Sequence, residues 1–293
     1  MQLDYLYKEF MQDRKIYCTN QTLDFYDYYI PRFLYWLGSN ELSDLNKHKL
    51  KEYILSMRGT MKNTSIRTNY RPVKAFCRWL YQEEYIPFDI TIGIKLPKAD
   101  PAIIELLTDA DVKQIDNTII NKSLNDLLAL RNYCIFHLAL DCGLRRKEIV
   151  NLMIDDCKEN IIIVHEGKCN KDRIVLLPHF LYCNIQNYYK KSHVTNPTAY
   201  IFLDLHNNYR ITINTIKDFY QDLKQLSGIN RIHCHLCRHT FATSYLQYGG
   251  DIEKLRLFMG HTDYEILKNY LHLSIIYPNV YRLDDIFFQD KKI

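Results

Sequence analysis

Apolar residues recur at helical intervals through most of this 293-residue chain. The clearest case is Val73, Phe76, Cys77 and Leu80, which have the i, i+3, i+4, i+7 spacing of one helix face. Similar periodicity and capping residues predict further helices along the chain. The predicted helices cover residues 3–15, 20–37, 43–57, a segment opening at 64–65, a helix capped at 108–111, and residues 124–141, 145–152, 240–248, 252–259 and 265–271.

One stretch has the β-branched, apolar composition that is typical of strands. Residues 161–165 and 173–177 are two such runs, and the polar residues 166–172 join them. This arrangement predicts a β-hairpin with a charged loop. The chain is therefore predicted to be mainly α with a small β-sheet.

A boundary between two domains is expected near residue 100. Pro97 and Pro101 interrupt helical periodicity in residues 94–102, which read as an extended linker. A chain of this length also exceeds what one compact core usually takes. We therefore predict a helical domain over 1–93 and a second domain, with the sheet, over 103–293.

Positive charge is modest in total but clustered in one helix. The net charge is only +4, so a nucleic-acid partner has to be inferred from where the charges lie. Residues 58–78 contain no acidic residue, and four of their basic residues recur at i, i+4, i+7 and i+11. We define these as the basic stripe: Arg67, Arg71, Lys74 and Arg78. They are predicted to contact DNA phosphates, with an ordinary solvated face as the alternative.

The termini and the cysteines indicate no export and no metal. The N-terminus lacks a basic-then-apolar signal, and no apolar run approaches the roughly 18 residues of a membrane span. We therefore expect a cytoplasmic protein without a membrane partner, whose nine cysteines act mostly as small buried hydrophobes. Cys234 and Cys237, with flanking histidines, resemble half of a zinc site, but the other cysteines supply no second C-x-x-C pair. No metal and no cofactor is predicted.

Two arginines, two histidines and a tyrosine have spacings that suit phosphodiester chemistry. Arg238 stands three residues after His235, Tyr270 stands nine residues after His261, and Arg145 follows Gly143-Leu144 upstream. A guanidinium fork can hold two non-bridging phosphate oxygens and stabilise their charge in the transition state. A phenol can then attack phosphorus if a base such as His235 takes its proton.

This set of residues resembles the tyrosine recombinases, or phage integrases, in their compact Xer-like form. The resemblance implies a helical, SAM-like core-binding domain followed by a catalytic domain whose C-terminal tail, 279–293, is exchanged between protomers. Packing of this tail on its own domain is the alternative. In the family, a lysine in the equivalent hairpin loop reaches into the minor groove beside the scissile phosphate. Lys168 is therefore the candidate that protonates the leaving 5′-oxygen, with Lys171 as second candidate and DNA contact. Glu148 would orient Arg145, while His239 and His272 would be structural. The implied catalytic residues are Arg145, Lys168, His235, Arg238, His261 and Tyr270.

The resemblance also implies a function and partners. The expected activity is site-specific recombination through a 3′-phosphotyrosine and a Holliday junction, for integration or excision of a mobile element or for resolution of DNA dimers or cointegrates. The expected partners are double-stranded DNA with inverted-repeat core sites, further copies of the chain (a dimer on each site and a tetramer in synapsis), and accessory proteins. A nicking-closing enzyme like type IB topoisomerases and a catalytically idle DNA-binding relative are the alternatives.

Overall fold

The computed structural model describes residues 1–100, 104–122, 126–165, 172–192, 199–260, 264–277 and 279–287, except the side chains of residues 122, 265 and 266. The chain divides into two compact units, residues 1–103 and residues 104–293. Each unit has its own apolar core. None of the helices in the described ranges is long and apolar enough to cross a bilayer.

The first unit is built from helices around an aromatic core. In this core, Phe10 meets the rings of Phe76 and Trp79 edge-on, with centroids 5.4 and 5.6 Å away. The helices are α1 (Leu3–Lys15), α2 (Asn20–Leu37), α3 (Lys47–Ser56) and α4 (Asn63–Gln82).

One predicted helix start in this unit was wrong. The helix expected over 43–57 begins at Lys47, because the Asn46 side chain accepts a hydrogen bond from the Lys49 amide at 3.0 Å and so caps the first turn. Leu42–Asp44 forms a separate 3₁₀ turn. Residues 94–100 contain neither helix nor strand, and the Pro97 carbonyl accepts a hydrogen bond from Arg67 at 3.1 Å.

The second unit surrounds a small antiparallel sheet with helices. The strands are β1 (Cys157–Lys158), β2 (Ile161–Val164) and β3 (Arg173–Leu176), in the order β1-β2-β3, with Ile162 opposite Val175. The predicted hairpin strands are thus present, and the mainly α class with a small sheet is confirmed. The helices are α5 (Asp109–Lys122), α6 (Asp126–Leu140), α7 (Arg146–Asn151), α8 (His179–Ser192), α9 (Ile213–Ser227), α10 (Cys234–Gln247), α11 (Ile252–Met259) and α12 (Tyr264–Ile276).

Helix α10 is the central element of this unit, and its start was predicted wrongly. It begins at Cys234 rather than at Thr240. Buried positions lie on most sides of the helix, since the six consecutive residues 240–245 are all buried. A helix that is enclosed on most sides lacks the polar face that makes periodicity visible in a sequence.

The segment after α12 packs on its own unit. The Tyr281 amide donates to the Leu107 carbonyl at 2.9 Å, and Val280, Leu283 and Phe287 are buried. Leu283 and Phe287 belong to the apolar cluster that also contains Tyr270. The first part of the predicted tail 279–293 is thus docked in cis, and its last six residues lie outside the described ranges.

Candidate active site

Arg238 is buried at the centre of the site. It lies in the second turn of α10 with 3% of its surface exposed. Its Nη2 donates to the Met259 carbonyl at 2.5 Å, and its Nη1 donates to the Gly143 carbonyl. Burial, together with the nearby Arg145, lowers the pKa of Arg238 to about 9. The guanidinium is therefore mostly charged at neutral pH, and its charge is only weakly screened because the site is buried.

Gly143 allows the turn that carries Arg145 to lie directly against α10. Its φ is +63°, and a Cβ at this position would lie 2.6 Å from Cδ1 of Phe241 on α10. A side chain here would therefore be strained by the backbone and would push the turn away. The close approach is what brings the Gly143 carbonyl within reach of Arg238.

Arg145 reaches the same point from the other side. It precedes α7, and its Nη2 donates to the Met259 carbonyl at 2.9 Å while its Nη1 donates to Glu148 Oε1 at 2.7 Å. Its side chain is 23% exposed, so it is the more accessible of the two arginines. Two guanidinium groups 93 positions apart in the chain thus converge on one carbonyl oxygen.

Glu148 forms hydrogen bonds with both Arg173 and Arg145. Both oxygens of Glu148 accept from Arg173, at 2.9 and 2.7 Å, and the Glu148 Oε2 also accepts from the Arg145 amide at 2.8 Å. Although burial raises the pKa of Glu148, its bonds to Arg173 and Arg145 lower it to about 2. Arg173 was not among the site residues predicted from the sequence. The available signal was a charged residue at the start of an apolar strand, five positions after Lys168.

The ring of His239 is a neighbour of both the His235 ring and the Tyr270 ring. The ring centroids of His235 and His239 are 5.8 Å apart, and those of His239 and Tyr270 are 5.4 Å apart. Partial desolvation and then the charge of Arg238 lower the pKa of His235. Burial and then His235 lower that of His239 to about 4. Both imidazoles are therefore neutral at pH 7.

Tyr270 is enclosed by its own unit. It lies on α12 with 4% of its surface exposed, and burial raises the pKa of its phenol. Arg238 and then Arg145 act in the opposite direction, because a nearby positive charge stabilises the phenolate. The arginines that could hold a phosphate thus also favour the ionised nucleophile.

Three predicted site residues, Lys168, Lys171 and His261, lie outside the described residues. The chain before His261 is described. Gly260 ends α11 with a φ of +58°, and its carbonyl accepts from Arg145 at 3.4 Å. The position that precedes His261 is therefore part of the arginine site.

The remaining residues of this unit that were considered from the sequence are Cys234, Cys237 and His272. Cys234 and Cys237 are buried, and the Tyr220 hydroxyl lies 3.5 Å from the Cys237 sulfur. Within the described ranges, no three His, Cys, Asp or Glu side chains are grouped so that they could hold a metal ion. His272 is exposed on α12.

The basic stripe lies on the exposed face of α4. All four of its side chains are exposed, opposite the buried Val73, Phe76 and Leu80. An acidic residue nevertheless faces it, since Asp89 Oδ2 lies 3.4 Å from Arg78 Nε. The stripe is acid-free in its own helix but partly neutralised at its C-terminal end.

Comparisons with known proteins identify a matching family and relatives that cover most of the chain. The phage integrase family model matches residues 105–275, more than half of the chain. A tyrosine recombinase of Pseudothermotoga lettingae is 29% identical over 252 residues, covering 83% of this chain and 84% of the relative. Tyrosine recombinase XerA of Thermococcus kodakarensis is 26% identical over 259 residues, covering 87% and 85%.

A solved structure shares the fold. The XerH site-specific recombinase bound to a palindromic difH substrate superposes with a TM-score of 0.73 at 16% identity, covering 87% of this chain and 77% of that one. With the arginines, the histidines and the tyrosine arranged as described, the match over 105–275 shows that this chain belongs to the phage integrase family, the tyrosine recombinases that cut and rejoin DNA.

Proposed function

We propose that this recombinase cuts DNA with Tyr270 as its nucleophile and with Arg145 and Arg238 as the phosphate-binding groups. The observation that carries the proposal is the convergence of both guanidinium groups on the Met259 carbonyl, in the unit where Tyr270 packs on His239. Fixed donors around the non-bridging oxygens stabilise the charge that develops on them during attack.

The reaction has two steps, strand cleavage and strand rejoining. The Tyr270 hydroxyl attacks phosphorus, the bond from phosphorus to the 5′-oxygen breaks, and a 3′-phosphotyrosine forms. His235, neutral at pH 7, accepts the phenolic proton, and Lys168 gives a proton to the leaving 5′-oxygen. A 5′-hydroxyl of another strand then attacks the phosphotyrosine and gives its proton to Lys168. The bond from phosphorus to the Tyr270 oxygen breaks, the phenolate takes its proton back from His235, and a phosphodiester is restored. The covalent link conserves the bond energy, so the exchange needs no external energy source.

The proposed substrate is double-stranded DNA with inverted-repeat core sites. The structural neighbours include XerH bound to palindromic difH DNA and a Tn1549 transposon integrase bound to transposon right-end DNA. By analogy, we propose a dimer on each core site and a tetramer in synapsis, because a symmetric dimer matches inverted half-sites. Residues 1–93 would bind the core DNA through the basic stripe. Residues 94–102 would link this domain to residues 103–293, which would catalyse DNA cleavage and rejoining.

The biological outcome would be integration or excision of a mobile element, or resolution of DNA dimers or cointegrates. Both require strand exchange through a Holliday junction between two sites. Because the proposed substrate is DNA, we propose that the protein acts in the cytoplasm.

A nicked suicide substrate tests the proposed function. The short 5′-ended fragment diffuses away after cleavage, so we expect a covalent protein–DNA adduct that survives denaturation. Two labelled sites should additionally yield a four-way junction. Adduct without any junction would favour a nicking-closing enzyme, and binding without adduct would favour an idle relative.

A further inference from the structure

Glu148 is shared unequally between two arginines. Arg173 holds both carboxylate oxygens with two parallel hydrogen bonds, at 2.9 and 2.7 Å, whereas the Arg145 side chain contacts only Oε1, at 2.7 Å. A bidentate guanidinium–carboxylate pair is the strongest arrangement that these groups form. In this structure, Glu148 forms it with Arg173.

The unequal sharing matters because Arg145 is the accessible arginine. Arg145 is 23% exposed, while Arg173 and Glu148 are each 7% exposed. Glu148 lies three residues after Arg145, a spacing at which the two side chains can pair along a helix. Without Arg173, the buried carboxylate would be left with Arg145 as its hydrogen-bonding partner and would draw that guanidinium into a bidentate pair.

Arg173 is itself held firmly in place. Its Nε donates to the Phe258 carbonyl at 2.7 Å, and its side chain lies against Gly260, where an added Cβ would be 3.1 Å from its Cδ. It therefore joins β3 to the end of α11, next to the Met259 carbonyl that receives both Arg145 and Arg238.

We infer that Arg173 is a positioning residue: it occupies both oxygens of Glu148 and thereby limits the Arg145 side chain to one hydrogen bond with that carboxylate, so that other N–H groups of Arg145 can bind the scissile phosphate. The inference rests on the proposed role of Arg145. Arg173 acts through Glu148 and touches no substrate. Its loss should weaken catalysis only as long as the Glu148 carboxylate is present to capture Arg145.

A double-mutant cycle tests this dependence. Single-turnover cleavage of the nicked substrate is compared for the wild type, Arg173→Gln, Glu148→Gln and the double variant. We expect Arg173→Gln to lower the cleavage rate at saturating protein by about tenfold or more while the Kd for DNA stays within about twofold. Glu148→Gln should cost about threefold, and the double variant should return to the rate of Glu148→Gln alone.

A residue that only stabilised the fold would behave differently. The reduction in cleavage rate caused by replacing such a residue would add to the reduction caused by Glu148→Gln. A double variant that cleaves as slowly as Arg173→Gln, or more slowly, therefore overturns the inference. Arg256→Gln is the matched control, since it breaks an i, i+3 ion pair with Glu253 on α11 and should cleave like the wild type.

Folding and the proposed function are checked separately. Thermal unfolding shows whether Arg173→Gln is folded. If it is not, Arg173→Lys, which keeps the charge but loses the fork, takes its place, and the same rescue by Glu148→Gln is required. A wild-type protein that forms no covalent adduct would contradict the proposed function. A wild-type adduct with full activity of the Arg173 variant would contradict only the role of Arg173.

Discussion

The imidazole of His239 packs against the phenol of Tyr270, with ring centroids 5.4 Å apart. Tyr270 also belongs to an apolar cluster that includes Leu283 and Phe287 from the C-terminal segment. Only 4% of its surface is exposed. The nucleophile and the C-terminal segment therefore share one buried cluster.

Replacing Tyr270 by Phe removes one oxygen from a buried site and should abolish cleavage, because no other group would form the phosphotyrosine. DNA binding should remain nearly unchanged. Denaturing gels with the nicked substrate measure the adduct, and mobility shifts measure the binding. Tyr264→Phe, an exposed tyrosine on the same helix, is the control and should cleave normally. An adduct formed by Tyr270→Phe would shift the assignment to another tyrosine, with Tyr281 tested first.

Lys168→Ala should cleave ordinary DNA very slowly, because the leaving 5′-oxygen would lack its proton donor. A substrate with a 5′-bridging phosphorothiolate should restore the rate, since a thiolate leaves without a proton. Single-turnover rates on the two substrates give the ratio. Lys171→Ala is the comparison and should need no rescue. If the phosphorothiolate rescues Lys171→Ala and leaves Lys168→Ala slow, the proton donor is Lys171.

Arg67→Ala combined with Arg71→Ala should weaken binding to specific and random DNA alike. Each lost phosphate contact removes about one unit from the dependence of log K on log[salt], so the slope should fall by about two. Binding titrations at several salt concentrations give the slope. Lys8→Ala with Lys15→Ala, two exposed lysines on α1, is the control double variant. An unchanged slope in the Arg67/Arg71 variant would make the stripe an ordinary solvated face.

Deleting residues 279–293 should lower cooperative assembly on paired half-sites while one half-site is still bound. The deletion should also lower the melting temperature, because it removes the buried Leu283 and Phe287, and truncation of one such side chain costs about 2–5 kcal/mol. Mobility shifts on one and two half-sites separate assembly from binding. A shorter deletion, of 288–293, spares the packed residues and tests exchange alone. Wild-type cooperativity in both truncations would exclude an intersubunit role.

The stability of the second unit should fall between about pH 6.5 and 9. Burial lowers the pKa of His137, but hydrogen bonds to Asp116 and Asp141, at 2.9 and 2.6 Å, raise it to about 9. Asp141 also accepts from the Tyr281 hydroxyl. A group whose pKa is raised by folding stabilises the folded state fully at pH values below its unfolded pKa. This stabilisation is lost as the pH rises through its folded pKa. The loss should reach about 3 kcal/mol at most.

Urea unfolding from pH 6 to 9.5 measures this loss. His137→Gln should flatten the dependence, whereas His206→Gln, at an exposed site, should leave it as in the wild type. A wild-type free energy of unfolding that does not change across this range would show that His137 is not held as an imidazolium.

Much of the fold could be predicted from periodicity, but only where an element has two unlike faces. Helix α2 was predicted over its full length, and the structure shows that Thr19 caps its first turn. The predicted start of helix α10 was six residues too late, because buried residues lie on most sides of this helix and hide its period. Strand β1, with two residues, is too short to show a period.

For the site, the sequence by itself determined which residue types are present and at what spacing, and these sufficed to identify the family. It could not show that Arg145 and Arg238 meet at one carbonyl, because their contact depends on a glycine turn packed against Phe241. Nor could it show Arg173, whose role exists only through a carboxylate 25 positions away. Spacing along a chain records local geometry, whereas hydrogen bonds between distant segments are decided when the core closes around them.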